Sequence, residues 1–223
     1  MCRAAARDGI TVLAATPHVR RDYPTTPAQM EQRLEEVRAA AGDVLRLVPG
    51  GEIDLAELAR PRAELARFAL AGNPRYLLVE TPYAGWPLDL PDRLFQLRTR
   101  GVTPVLAHPE RNADVQRRPE LLEAIVSGGT LVQVTAAAVD GRLGRAAKGC
   151  ATTLIERGLA HMITSDGHAP SVRAIGMSSA VAAVGDERLA RWLTDDVPRA
   201  IVDDERIPPR PVAVRPRRRW FGR

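Results

Sequence analysis

Short apolar runs alternate with longer amphipathic stretches along this chain, and that alternation constrains its fold more than any other feature. Ile10–Ala15, Val44–Val48, Tyr76–Glu80, Thr103–Ala107, Leu131–Thr135 and His161–Thr164 read as strands, several of them rich in Val and Ile. Their starts fall about 30 residues apart, the length of one strand plus a returning helix. Such helices return the chain to a parallel neighbour, so the pattern predicts an α/β fold with a parallel sheet. Six units make most of a (β/α) barrel, with an open doubly wound sheet as the alternative.

The intervening helices are punctuated as expected. Thr26 and Gln29 form a capping box around Pro27, at the first helical position of a helix through Ala41. Pro61 should break or kink the stretch Asp54–Ala69. Asp89–Arg100 runs into Gly101, and Pro119–Ser127 into Gly128-Gly129. Helical patterns also cover Gly144–Arg157 and Ala174–Val184. The chain opens on a helix, Cys2–Arg7, where a barrel should open on a strand. A first strand is therefore expected to be missing.

Charge divides the chain unevenly. Seven arginines and no acid lie in residues 206–223, so the net +5 less these seven leaves −2 on residues 1–205. We read 1–205 as one domain and 206–223 as an Arg/Pro-rich, disordered tail. Such a tail can make weak contact with anionic membranes; no nucleic-acid partner is expected. Cys2 and Cys150 are too few for a disulfide framework or a four-cysteine zinc site. With no run of 18 apolar residues and no secretory h-region, the expected location is the cytoplasm.

The polar residues cluster at strand ends. Three of the four histidines, His18, His108 and His168, follow a strand, as do Glu52, Glu80 and Asp166. Glu52, Glu80 and His108 are spaced 28 residues apart, one barrel unit each, and so project to one rim. In a (β/α) barrel that C-terminal rim holds the active site. Carboxylates crowded there would repel one another unless cations intervened. His, Asp and Glu without thiolates suit Mn, Zn or Fe. His161 begins a strand and reads as structural or surface.

Arg111, three residues after His108, makes sense beside bound metal only with an anion between them, and phosphate fits. The alternative is an ion pair with Glu110 or Asp114. Arg173 could reach the same mouth. Other phosphoryl chemistries find no footing: there is no glycine-rich phosphate loop, and Cys150 lies seven residues before Arg157 inside a helical pattern.

Together, Ala-Ala-Thr-Pro-His18, Gly-Gly-Glu52, Glu80-Thr-Pro, Ala-His108-Pro-Glu-Arg111-Asn and Ser-Asp166-Gly-His168 resemble the polymerase-and-histidinol-phosphatase (PHP) superfamily. Within it the chain resembles the bacterial tyrosine-protein phosphatases of capsule and exopolysaccharide synthesis, the CpsB/YwqE type. Gln133-Val-Thr, Gly141-Arg-Leu-Gly144 and Leu154-Ile-Glu-Arg-Gly158 support that branch. The resemblance implies a distorted (β/α)7 barrel and a trinuclear, manganese-preferring site. It implies metal ligation by His18, Glu52, Glu80, His108, Asp166 and His168, with Arg111 and Arg173 holding phosphate. Arg111, Arg173, Asp166 and His168 are the residues expected to carry the reaction. The implied partner is the phosphotyrosine tail of a bacterial tyrosine kinase. Two departures stand out: Gly167 replaces an alanine, and the opening strand with its His-x-His pair is absent from the sequence. The alternatives are a small-molecule PHP phosphoesterase of the histidinol phosphatase kind and a catalytically inactive relic that only binds.

Overall fold

A computed structural model describes residues 1–168 and 174–212. Its strands are β1 (Val12–Ala15), β2 (His18–Arg20), β3 (Tyr23–Pro24), β4 (Arg46–Pro49), β5 (Glu52–Ile53), β6 (Tyr76–Glu80), β7 (Thr103–Ala107), β8 (Leu131–Thr135) and β9 (Met162–Thr164). Seven form one sheet in the order β3-β2-β5-β6-β7-β8-β9, parallel except for the β2–β3 hairpin. β1 and β4 pair separately, in parallel, as a two-stranded sheet.

The middle of the sheet follows from composition. β6 is buried at every position, and β7 and β8 at all but their first. Helices packed against both faces of a parallel sheet require such near-continuous apolar runs. Phe68, Leu90, Leu94, Leu122 and Leu154 fill the space between sheet and helices. Pro61 does break its helix: a 3-10 segment, Leu55–Ala59, precedes it and an α-helix, Arg62–Arg67, follows. The Thr26–Gln29 capping box starts the helix Pro27–Ala41.

The first two units differ from the sequence reading. Each was expected to contribute one continuous strand. Instead β1 stops at Ala15, the chain kinks through Thr16-Pro17, and it rejoins the main sheet as β2; β4 likewise stops before Gly50-Gly51 and resumes as β5. Proline cannot donate to a ladder. The glycines are set by space: a Cβ on Gly51 would come within 2.8 Å of the Phe68 ring, and one on Gly50 within 2.9 Å of Thr16 Cγ2. The kinks let His18 and Glu52 begin new strands side by side, paired in register.

No closed barrel forms among the described residues. The ladder ends at β3 on one side and β9 on the other, and β1 pairs only with β4. The chain does open on the helix Cys2–Arg7. Asp8, which follows it, accepts hydrogen bonds from the backbone N–H of Met177 and Ser178 and from the Ser178 hydroxyl, tying the N-terminus to the helix Ser178–Val184.

Two residues of the stretch read as a tail, Pro208 and Arg210, contact the rest of the chain. Pro208 accepts a hydrogen bond from Trp192 Nε1, and Arg210 donates to the carbonyls of Ile155 and Ala160 while lying over the Trp192 ring. Arg210 thereby sets a cation at the C-terminal end of the helix Arg145–Glu156, a favourable place for positive charge. The rest of the stretch read as a disordered tail, residues 213–223, lies outside the described residues. Among the described residues no helix is long and apolar enough to cross a membrane.

Candidate metal centre

The strand ends deliver the sequence-predicted residues to one mouth. His18 opens β2, Glu52 opens β5, Glu80 closes β6, His108 follows β7, and Asp166 and His168 follow β9. His108 and Asp166 adopt left-handed backbone conformations (φ 38° and 45°), uncommon for residues other than glycine. Strain of this kind persists where surrounding structure holds a side chain in place. The His108 N–H is fixed by the Gln133 carbonyl at 2.9 Å.

Glu52 stands at the centre. Its Oε1 lies 2.7 Å from His108 Nε2 and its Oε2 3.1 Å from His18 Nδ1. Glu80 Oε2 is 3.6 Å from His18 Nδ1 and is buried without a hydrogen-bond partner. Ligand atoms of His18, Glu52 and Glu80 lie within 4.8 Å of one another, and so do those of Glu52, His108 and Asp166. Two triads thus share one carboxylate.

The electrostatics follow from this crowding. Burial pushes the Glu52 carboxyl up, but hydrogen bonds from His108 and His18, with their charge, outweigh it and hold Glu52 at about 2. Glu80 is raised by burial and then by the neighbouring Glu52 charge. His18 is raised, chiefly by its hydrogen bond to Glu52. A buried pair of carboxylates, one with an orphaned oxygen, surrounded by imidazoles is an environment that a divalent cation satisfies. The donor set of nitrogen and oxygen fits Mn, Fe or Zn.

His168 stands apart from both triads, 40% of its side chain exposed, with its ring 5.8 Å from that of His18. Its Nδ1 donates to the Asp166 carbonyl at 2.9 Å. Arg111 pairs with neither Glu110 nor Asp114. Its Nη1 donates to Asp166 Oδ2 at 2.8 Å and its Nη2 to the Tyr83 hydroxyl at 3.1 Å. Arg173 lies outside the described residues. His161 is remote, its Nδ1 accepting the Val132 N–H. Cys150 is buried, and that burial pushes its thiol up to about 12.

Three features were missed in the sequence. Arg20 Nη1 lies 3.2 Å from Glu80 Oε1. Tyr23 and Tyr83 flank the histidines at ring distances of 5.8 Å from His18 and 5.9 Å from His108. Glu110 is fully buried, where its Oε1 accepts the Thr135 N–H and braces the turn that carries His108. The sequence did hold a signal for Arg20: two residues from His18 on one strand, it shares that face.

A family described as capsular polysaccharide synthesis, CpsB/CapC, matches residues 1–198. Tyrosine-protein phosphatase YwqE of Bacillus subtilis is 31% identical over the whole chain and 90% of its own length. Tyrosine-protein phosphatase CpsB of Streptococcus pneumoniae is 25% identical over 90% of this chain and 88% of its own. A crystal structure from work on YwqE and CpsB, there called unique metal-dependent tyrosine phosphatases, superposes with a TM-score of 0.82 at 27% identity. It covers 96% of this chain and 90% of that one.

Proposed function

The chain belongs to the CpsB/CapC family of capsular polysaccharide synthesis, and on that premise we propose that it is a metal-dependent phosphatase of phosphotyrosine. Its substrate, on this reading, is the phosphotyrosine tail of a bacterial tyrosine kinase of polysaccharide export. The observation that carries it is the pair of triads sharing Glu52, with Arg111 held at their rim by Asp166.

His18, Glu52 and Glu80 would hold one ion and Glu52, His108 and Asp166 another, with His168 completing the set; manganese is the ion we favour. Bound there, divalent ions supply Lewis acidity and lower the pKa of water. The chain's own residues do the rest. Arg111 presents a planar fork of donors suited to phosphoryl oxygens, worth most in a site shielded from water. Asp166 and Tyr83 aim that fork before substrate arrives, so little reorganisation is needed as charge develops. Glu110 and the Gln133 carbonyl fix the turn that holds His108.

Hydrolysis of a phosphotyrosine peptide is the test. Chelator should abolish it, Mn2+ should restore it, and iodoacetamide should leave it intact, because Cys150 is buried and protonated. Turnover that survives chelation, or that disappears in a folded Cys150→Ala variant, would overturn the proposal. Preferential turnover of histidinol phosphate would move it to a small-molecule phosphoesterase, and metal-loaded protein without turnover to a binding protein.

A further inference from the structure

Two tyrosine–arginine pairs flank the metal centre, and they are built alike. On one side the Tyr23 ring lies 5.8 Å from His18, and Arg20 Cζ sits 5.0 Å from the Tyr23 centroid. Arg20 in turn pairs with Glu80 through Nη1 and with the exposed Asp22 through Nε. On the other side the Tyr83 ring lies parallel to His108 at 5.9 Å, and Arg111 Cζ sits 4.7 Å from its centroid. Arg111 in turn pairs with Asp166. Each set therefore runs from a metal-type histidine through an exposed tyrosine to an arginine on a metal-type carboxylate.

The pairs come from unrelated parts of the chain, Tyr23 from the β2–β3 hairpin and Tyr83 from the loop after β6. The chain has only three tyrosines, and two of them stand here, 55% and 44% exposed. Ion-pair geometry alone does not need them, since each arginine already has its carboxylate. Two cations beside a metal site suit a dianionic head group. Aromatic rings beside those cations suit a flat apolar group next to that head, because rings pack well against rings offset or edge-on.

We propose that Tyr23 and Tyr83 are specificity-determining walls that seat the aryl group of an aryl phosphate monoester, while Arg20 shares with Arg111 the hold on its phosphoryl oxygens. This rests on the phosphatase reading above and adds to it the residues that select an aryl over an alkyl ester. Each arginine already lies over its ring, so little ordering would be needed on binding.

The test uses binding, not turnover. Phenylphosphonate and methylphosphonate share one non-hydrolysable head group and differ only in the ring, and their affinities for Mn2+-loaded protein can be compared by calorimetry. The wild type should prefer phenylphosphonate. Tyr83→Ala and Tyr23→Ala should each shrink that preference by about 3- to 10-fold, whereas Tyr83→Phe and Tyr23→Phe should keep most of it. Arg20→Ala should weaken both phosphonates alike. Equal affinity for the two ligands in the wild type, failure of either to bind, or loss of both in parallel in the tyrosine variants would overturn the assignment. A preference for phenylphosphonate in a protein that does not hydrolyse phosphotyrosine would leave these walls in place and sink the phosphatase reading alone.

Discussion

The carboxylate of Glu52 reaches His108 Nε2 at 2.7 Å with one oxygen while its other oxygen faces His18. Because it belongs to both triads, its loss should not resemble the loss of Glu80, which belongs to one. Glu52→Gln is expected to abolish binding at two positions and Glu80→Gln at one. Metal content after Mn2+ loading and desalting, measured by mass spectrometry, checks this. Equal stoichiometry in the two variants would show that Glu52 is not shared.

Arg111 makes the opposite kind of prediction. It touches Asp166 through a single oxygen and is no metal donor itself, so Arg111→Ala should leave metal content nearly unchanged. Turnover of phosphotyrosine peptide should fall by about 10²–10³, the usual loss of a charged transition-state donor. Arg111→Lys should rescue little, since an ammonium lacks the planar fork. Near-normal kcat/KM in the alanine variant would reduce Arg111 to a structural partner of Asp166 and Tyr83.

What was legible in the sequence were features written in adjacent residues. β6, β7 and β8 are buried, mostly apolar runs, and Glu80 and His108 lie one unit apart at the ends of β6 and β7, so strand and site could be read together. β2 and β5 could not be read, since three residues and two residues have no periodicity. Their existence depends on the kinks at Pro17 and Gly50-Gly51, whose effect is three-dimensional: Phe68 fills the space a Gly51 side chain would need. Nothing in the sequence singles out Tyr23 and Tyr83, because what places them beside His18 and His108 is sheet order, not sequence distance. Glu110 enters the sequence reading only as one alternative ion-pair partner for Arg111; nothing in His-Pro-Glu-Arg tells that its carboxyl turns inward to Thr135.

His161 gives a prediction about pH, separate from catalysis. Burial, helped by the Arg210 charge, pushes its pKa down to about 4, and its Nδ1 accepts the Val132 N–H. The folded state therefore keeps this imidazole neutral over a range in which the unfolded chain, near its ordinary 6.5, takes up a proton. Below pH 6.5 the unfolded state binds more protons, so stability falls as pH falls and levels off below about 4. The full effect is up to about 3 kcal/mol at 1.36 kcal/mol per pKa unit. His18, raised by Glu52, acts with the opposite sign: its stabilisation is present below 6.5 and is lost as pH rises through its folded value. His161→Asn keeps an acceptor for Val132 but cannot titrate, so it separates the two. Urea unfolding of metal-free protein at pH 7 and pH 4.5 should show a larger loss in the wild type than in His161→Asn. Parallel losses would mean that the proton enters without cost at His161 and that acid sensitivity arises at other groups.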